Sequence, residues 1–103
     1  MSQTVLWRDS VGSGNTFGAQ SASTALAANS ARVAYQIQNL DTAALFVKLG
    51  TGASTSSYSF VLKGGSGAAD GSGGSTSDYG TVVYRGIITV ASAGTPSYVA
   101  LEL

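Results

Sequence analysis

Short stretches in which apolar and polar residues alternate dominate this sequence, and a period of two is the pattern of half-buried β-strands. The clearest stretch runs from Arg32 to Leu40, where Val33, Tyr35 and Ile37 alternate with small or polar residues. An alanine-rich segment at 24–31 is too short to make a stable helix, and its Asn and Ser compete for backbone hydrogen bonds. The pattern therefore restricts the chain to an all-β fold.

Further strands are predicted at 4–9, 44–49, 58–63, 82–91 and 97–103, the fourth broken or bulged at Gly86. The turn residues Asn39 and Asp41 predict that the strands at 33–40 and 44–49 form a hairpin. Six to eight short antiparallel strands predict a β-sandwich of jelly-roll or immunoglobulin-like type. A closed barrel is the alternative.

Two segments rich in small residues interrupt this pattern. Residues 10–23 consist mainly of Gly, Ser, Ala and Asn, so residues 1–23 are predicted to form an N-terminal strand and extended arm, and residues 24–103 the β-sandwich domain. Glycines 64, 65, 67, 71, 73 and 74 predict a long loop at 64–77, mobile or held by a neighbour.

The charged residues are few and balanced. Five basic and five acidic residues give a net charge of zero, which argues against a nucleic-acid partner. No apolar run is long enough to cross a membrane. Charged residues make up 10% of the chain, against about 25% in typical soluble domains. So low a charge favours association, and we expect a homo-oligomer.

The sequence has no His and no Cys, which excludes the usual catalytic triads and thiolate metal sites. We expect no enzymatic activity and no cofactor; a small hydrolase is a minor alternative, motivated by scattered acids and tyrosines. Asp41 is an expected turn residue. Asp70 and Asp78 are spaced so that they could share a calcium ion, although a solvated loop is the simpler interpretation.

Five residues are candidates for intersubunit contacts. Trp7, Phe17 and Tyr79 would be contact aromatics if they face outward, and core residues otherwise. Arg85 and Glu102 each lie in a strongly apolar strand. A charge in such a strand faces solvent or forms a cross-strand or intersubunit ion pair.

Several segments together resemble a known group of proteins. They are Leu26–Asn29 with Arg32, Tyr35–Asn39, Ala44–Ser54, Tyr84–Ile88 and Tyr98–Glu102. From Thr24 onward the chain is similar to a family of small phage and prophage virion structural proteins, which includes capsid decoration (cement) proteins, head fibres and tail accessory subunits. The resemblance implies no catalytic residues, and it implies structural roles for Arg32 and for residues 47–50.

The resemblance implies a capsid decoration protein that binds and stabilises the lattice of the major capsid protein as a homotrimer. Its location would be the capsid surface of the virion, after synthesis in the host cytoplasm. The alternative is a tail or head-fibre accessory domain that contacts a host receptor or glycan through the loops at 51–57 and 64–77.

Overall fold

The computed structural model describes the backbone of residues 16–103 and the side chains from Gln20 onward. Within that range the chain forms eight β-strands and no helix. The strands are β1 Thr16–Gln20, β2 Thr24–Leu26, β3 Ala34–Asn39, β4 Leu45–Leu49, β5 Phe60–Leu62, β6 Ser75–Tyr79, β7 Ile88–Ala91 and β8 Tyr98–Glu102. The predicted all-β class is confirmed.

The strands form two four-stranded sheets that pack as a sandwich. Sheet A has the order β1-β8-β3-β6, and sheet B has the order β2-β7-β4-β5. All pairs of neighbouring strands are antiparallel. Pairing first with last, second with seventh, third with sixth and fourth with fifth is the jelly-roll arrangement, and it differs from the ABED and CFG sheets of immunoglobulin domains. Of the two predicted sandwich types, the chain adopts the jelly-roll.

The predicted hairpin between β3 and β4 is wrong. β3 pairs with β6 and β8 in sheet A, whereas β4 pairs with β5 and β7 in sheet B. Residues 40–44 do reverse the chain, but they carry it from one sheet to the other. The hairpin that β4 does form is with β5, in which Leu45 lies opposite Leu62 and Val47 opposite Phe60.

Three predicted boundaries also change. Thr16–Gln20 was expected to lie in an arm, but it is the edge strand β1 paired to β8, so the sandwich includes residues before 24. The predicted strand at 4–9, with Trp7, lies outside the described residues. β6 begins at Ser75, which shortens the predicted glycine-rich loop, and only Ile88–Ala91 of the predicted strand at 82–91 is a strand.

The core lies between the sheets and follows the predicted alternation. Tyr35 and Ile37 of β3 and Tyr98 and Ala100 of β8 face inward and are buried. Sheet B contributes its own inward-facing row, and the buried cluster includes Leu26, Leu45, Val47, Ile88 and Val90. Each large apolar side chain buried in this way stabilises the fold by about 1.5–3 kcal/mol.

Candidate interaction surfaces

A buried ion pair fixes one end of the sandwich. Arg32, just before β3, is 0% exposed, and Glu102, at the end of β8, is 2% exposed. Arg32 Nε donates a hydrogen bond of 2.8 Å to Glu102 Oε1. The same guanidinium donates through Nη1 to the carbonyl oxygens of Tyr84 and Gly86 and through Nη2 to that of Ala27. The charge is therefore both neutralised and hydrogen-bonded, as a buried charge must be.

This Arg32 cluster joins segments that are distant in sequence. Its hydrogen bonds hold together the loop between β2 and β3, the irregular segment before β7, and β8. Arg85 adds a further connection, because its Nε donates to the backbone oxygen of Arg32 while its own carbonyl accepts from the backbone nitrogen of Asn29. Arg32 thus has a structural role within its own chain.

Two of the five predicted interface residues belong to this cluster. Glu102 is not on the solvent face: it points into the sandwich because it continues the inward-facing row of Tyr98 and Ala100. It forms the ion pair within its own chain, so Glu102 is withdrawn as a surface contact. Arg85 is half-buried, and its Nε donates a hydrogen bond to the backbone oxygen of Arg32.

A second polar cluster, centred on Asn39, lies at the opposite end of β3. Asn39 is 1% exposed, and its Nδ2 lies 2.9 Å from the carbonyl oxygen of Ala43, 3.2 Å from that of Leu62 and 3.1 Å from that of Lys63. Its Oδ1 accepts from the backbone nitrogen of Asp41. One amide therefore holds the crossover between the sheets against the end of β5.

The glycine-rich segment packs against the Asn39 cluster. Gly74 N donates to Lys63 O, and Gly74 O accepts from Asn39 N. A Cβ on Gly64 would overlap the backbone of Thr42, and one on Gly73 would overlap the carbonyl oxygen of Asn39. Glycine is needed at these two positions for close backbone approach, and the segment makes backbone hydrogen bonds to its own chain.

The two acids considered as calcium ligands have separate partners. Asp70 accepts hydrogen bonds from Ser66 and Ser72, and those from Ser72 are the main reason that its pKa is lowered. Asp78, in β6, accepts from the backbone nitrogen of Tyr84 at 3.4 Å. Across residues 16–103 no three acidic, His or Cys side chains are grouped as metal ligands.

An apolar patch lies on the outer face of sheet B. Phe46 is paired in register with Val61 on one side and with Ala91 on the other. The Tyr58 ring packs on Phe46 with centroids 5.0 Å apart and an interplanar angle of 60°. Tyr58 is 47% exposed and Val61 43% exposed. We call these four residues the sheet B patch.

The outer face of sheet A has a different character. Gln36 lies between Ser77 and Leu101, and Gln38 lies between Ser75 and Val99. At the end of the face, Tyr79 lies opposite Ala34, which is hydrogen-bonded to Leu103 on its other side. The side chains of these nine residues are all uncharged, and we call the set the neutral face; Ala34 is its one buried member.

The neutral face ends in a prominent turn. Tyr79 is 71% exposed, and Val82, three residues further on, is 87% exposed. The turn between them is held by backbone hydrogen bonds from Gly80 N to Val33 O and from Val83 N to Gly80 O, and Gly80 has a φ of 105°. Of the five predicted contact residues, Tyr79 is the one whose side chain the structure places fully on the surface.

The other two candidates are not positioned by the structure: Trp7 lies outside the described residues, and for Phe17, in β1, the described part is the backbone.

Sequence reasoning missed the buried position of Asn39, which links several segments, and it missed the sheet B patch as an exposed surface. The signal for the patch was present, because Phe46 and Val61 are the out-of-phase apolar residues in their alternating strands.

The described residues form a jelly-roll domain with an exposed apolar patch on sheet B and an uncharged face on sheet A. Comparison with known proteins adds no family: no family model, no curated protein and no solved structure matches this chain. Within residues 16–103, no helix is long and apolar enough to cross a membrane.

Proposed function

We propose that this protein is a phage capsid decoration protein, which binds and stabilises the major capsid lattice as a homo-oligomer, a trimer. The observation that carries the proposal is the sheet B patch: aromatic and aliphatic side chains exposed on the face of a rigid jelly-roll. Jelly-rolls are common in viral capsid and lectin domains. The resemblance of residues 24–103 to virion structural proteins supports the same function.

The interior of the domain supports a role in which rigidity matters more than chemistry. Arg32 and Asn39 link loops to strands by donating hydrogen bonds to the chain's own carbonyl oxygens, and Arg32 also donates to the Glu102 carboxylate. A surface held in this way loses little conformational entropy when it binds. Repeated copies on a lattice then gain avidity, about 10²–10⁴-fold over a single site.

The sheet B patch is the surface that suits the capsid. Its aromatic pair, Phe46 and Tyr58, belongs to the residue types enriched at interface hot spots. Lys48 lies in β4, two residues after Phe46, with its Nζ 2.7 Å from Ser57 Oγ, and Lys63 follows β5 and is exposed. Basic groups beside an apolar patch fit a partner surface that is apolar with acidic residues at its rim.

The test is co-sedimentation of the purified protein with heads of the encoding phage that lack it. Wild-type protein should sediment with the heads and raise their resistance to heat. Val61→Asp places a charge in the patch and should abolish binding, whereas Ala28→Asp, an exposed residue of the β2–β3 connection, should not. Equal binding by Val61→Asp and wild type, or no binding by wild type, would contradict the proposal.

A tail or head-fibre accessory domain is the second candidate. It is favoured by the exposed hydroxyl residues Thr51, Thr55 and Ser56 in the loop that leads to the exposed Tyr58, since hydroxyl and aromatic groups suit a glycan. Binding of the isolated protein to defined glycans on an array, lost in Tyr58→Ala, would favour this candidate over capsid decoration.

A further inference from the structure

We infer that the neutral face of sheet A is the surface through which copies of this chain associate with one another. The inference deepens the proposed function, and it rests on that proposal for the expectation that the protein is an oligomer. The occupant of the face is a second copy of the chain, as the distribution of charged side chains over the two sheets indicates.

The described charged residues avoid the neutral face. Arg32 and Glu102 are buried in the sandwich, Asp78 alternates to the inner side of β6, and Arg85 is bound to Arg32. Asp41 and Asp70 lie in loops beside the Asn39 cluster, and Lys48 and Lys63 belong to sheet B and its edge. Three strands of sheet A thus contribute nine neighbouring positions whose side chains carry no charge, and eight of them are at least partly exposed, since Ala34 is buried.

The absence of charged side chains from the neutral face is informative because homo-oligomers are symmetric. In a closed homo-oligomer the same residues from each copy converge near the symmetry axis, so a charge there would face its own equivalent. Like charges brought together in an interface weaken binding strongly. The neutral face escapes this repulsion, whereas the face of sheet B with Lys48 and Lys63 does not.

The groups on the neutral face can also pair with their own kind. Gln36 and Gln38 each carry both donors and acceptors, as do the hydroxyls of Ser75 and Ser77, so copies of the face that converge on the axis of a trimer can satisfy one another's hydrogen bonds. Beside them, β8 contributes a column of half-buried Val99, Leu101 and Leu103. Apolar and amide side chains with no charge match the composition of interface cores.

Tyr79 provides the prominent anchor at the end of this face. It is 71% exposed on a turn that backbone hydrogen bonds already fix, so little conformational freedom remains for binding to remove. Tyrosine is enriched at the energetically dominant positions of interfaces. Tyr79 and Leu101 are therefore expected to contribute most to self-association.

The experiment measures mass in solution, without capsids, by sedimentation equilibrium over a concentration series. Wild-type protein should associate. Gln36→Lys should weaken association by about 100-fold or more, because it places equal charges against one another. Gln36→Asn, which keeps the amide, should change it by less than about tenfold, and Ala28→Lys should associate as wild type does. Circular dichroism and urea unfolding of each variant check that the fold is intact.

Two results would overturn the inference. One is a wild-type protein that remains a monomer throughout the series. If Gln36→Lys also lowers the stability of that monomer, the occupant of the face is a segment of the same chain and not a second copy. The other is a wild-type oligomer whose mass is unchanged in Gln36→Lys and Tyr79→Ala. Failure of the capsid proposal is separate: it is seen as loss of head binding by wild type, and Val61→Asp should keep the oligomer mass.

Discussion

Replacing Glu102 by Gln should destabilise the domain by about 3 kcal/mol, although the two side chains have nearly the same shape. Removing one partner of a buried ion pair costs about 3–5 kcal/mol, since the other charge stays buried without compensation. Arg32 is 0% exposed and lies 2.8 Å from Glu102 Oε1, so it would be that uncompensated charge. We expect the lower end of the range, because the amide oxygen of Gln can still accept a hydrogen bond from Arg32 Nε.

The size of this effect makes it easy to measure. A domain of this length has a free energy of unfolding of about 5–15 kcal/mol, and urea unfolding has a slope of about 1–3 kcal/mol per molar. The urea midpoint of Glu102→Gln should therefore fall by about 1–3 M, followed by far-ultraviolet circular dichroism. Lys63→Met, an exposed charge, should stay within about 0.5 kcal/mol of wild type. A midpoint for Glu102→Gln as close to wild type as that of Lys63→Met would refute the account of the Arg32 cluster.

The remaining predictions concern the Asn39 cluster, the glycine-rich segment and the buried phenol. Asn39→Ala removes a buried donor shared by three carbonyl oxygens, one of which keeps Gly74 N as a donor, and should cost about 1–3 kcal/mol in urea unfolding, whereas Gln38→Ala, its half-buried neighbour, should cost much less. Gly64→Ala should cost about 1–3 kcal/mol because its Cβ would overlap backbone; Gly94→Ala, with open space around it, should be neutral or slightly stabilising in the same assay. Burial raises the pKa of Tyr98 to about 12, from about 10 in the unfolded chain. The neutral phenol therefore stabilises the fold below about pH 10, and this contribution to the free energy of unfolding is lost as the pH rises towards 12. Tyr98→Phe should lose less stability than wild type between pH 9.5 and about 11.5, and an equal loss in both would show that another group governs alkaline unfolding.

The sequence was sufficient to locate most strands and to assign their faces. The alternation around Tyr35 and Ile37 placed both in the core, and the same rule separated Val99 and Leu101 from Tyr98 and Ala100. Those are local properties, because a side chain's face depends on its position along a single strand.

What the sequence did not provide was the identity of each strand's partner. Turn residues at 39–42 stop β3 equally well whether the chain folds back in the same sheet or crosses to the other, and the deciding contacts of Asn39 come from residues more than twenty positions later. β1 was missed because Gly and Ala have weak strand propensity, and it exists through pairing with β8.

The candidate site was the harder problem. For Glu102 the sequence left open a solvent-facing charge and an ion pair, because its partner, Arg32, lies seventy residues earlier. The uncharged row formed by Ser77, Gln36 and Leu101 joins three strands, so it exists as a surface only after the sheet has assembled.

The pairing order has a consequence for how the molecule comes into being on the ribosome. β4 and β5 are the neighbours in sequence that also pair, so they are able to form first. β1 must wait for β8, which is made almost eighty residues later, a delay of roughly 4–16 s at about 5–20 residues per second. During that interval β1 has no partner strand, and sheet A becomes complete only after β8 has been synthesised.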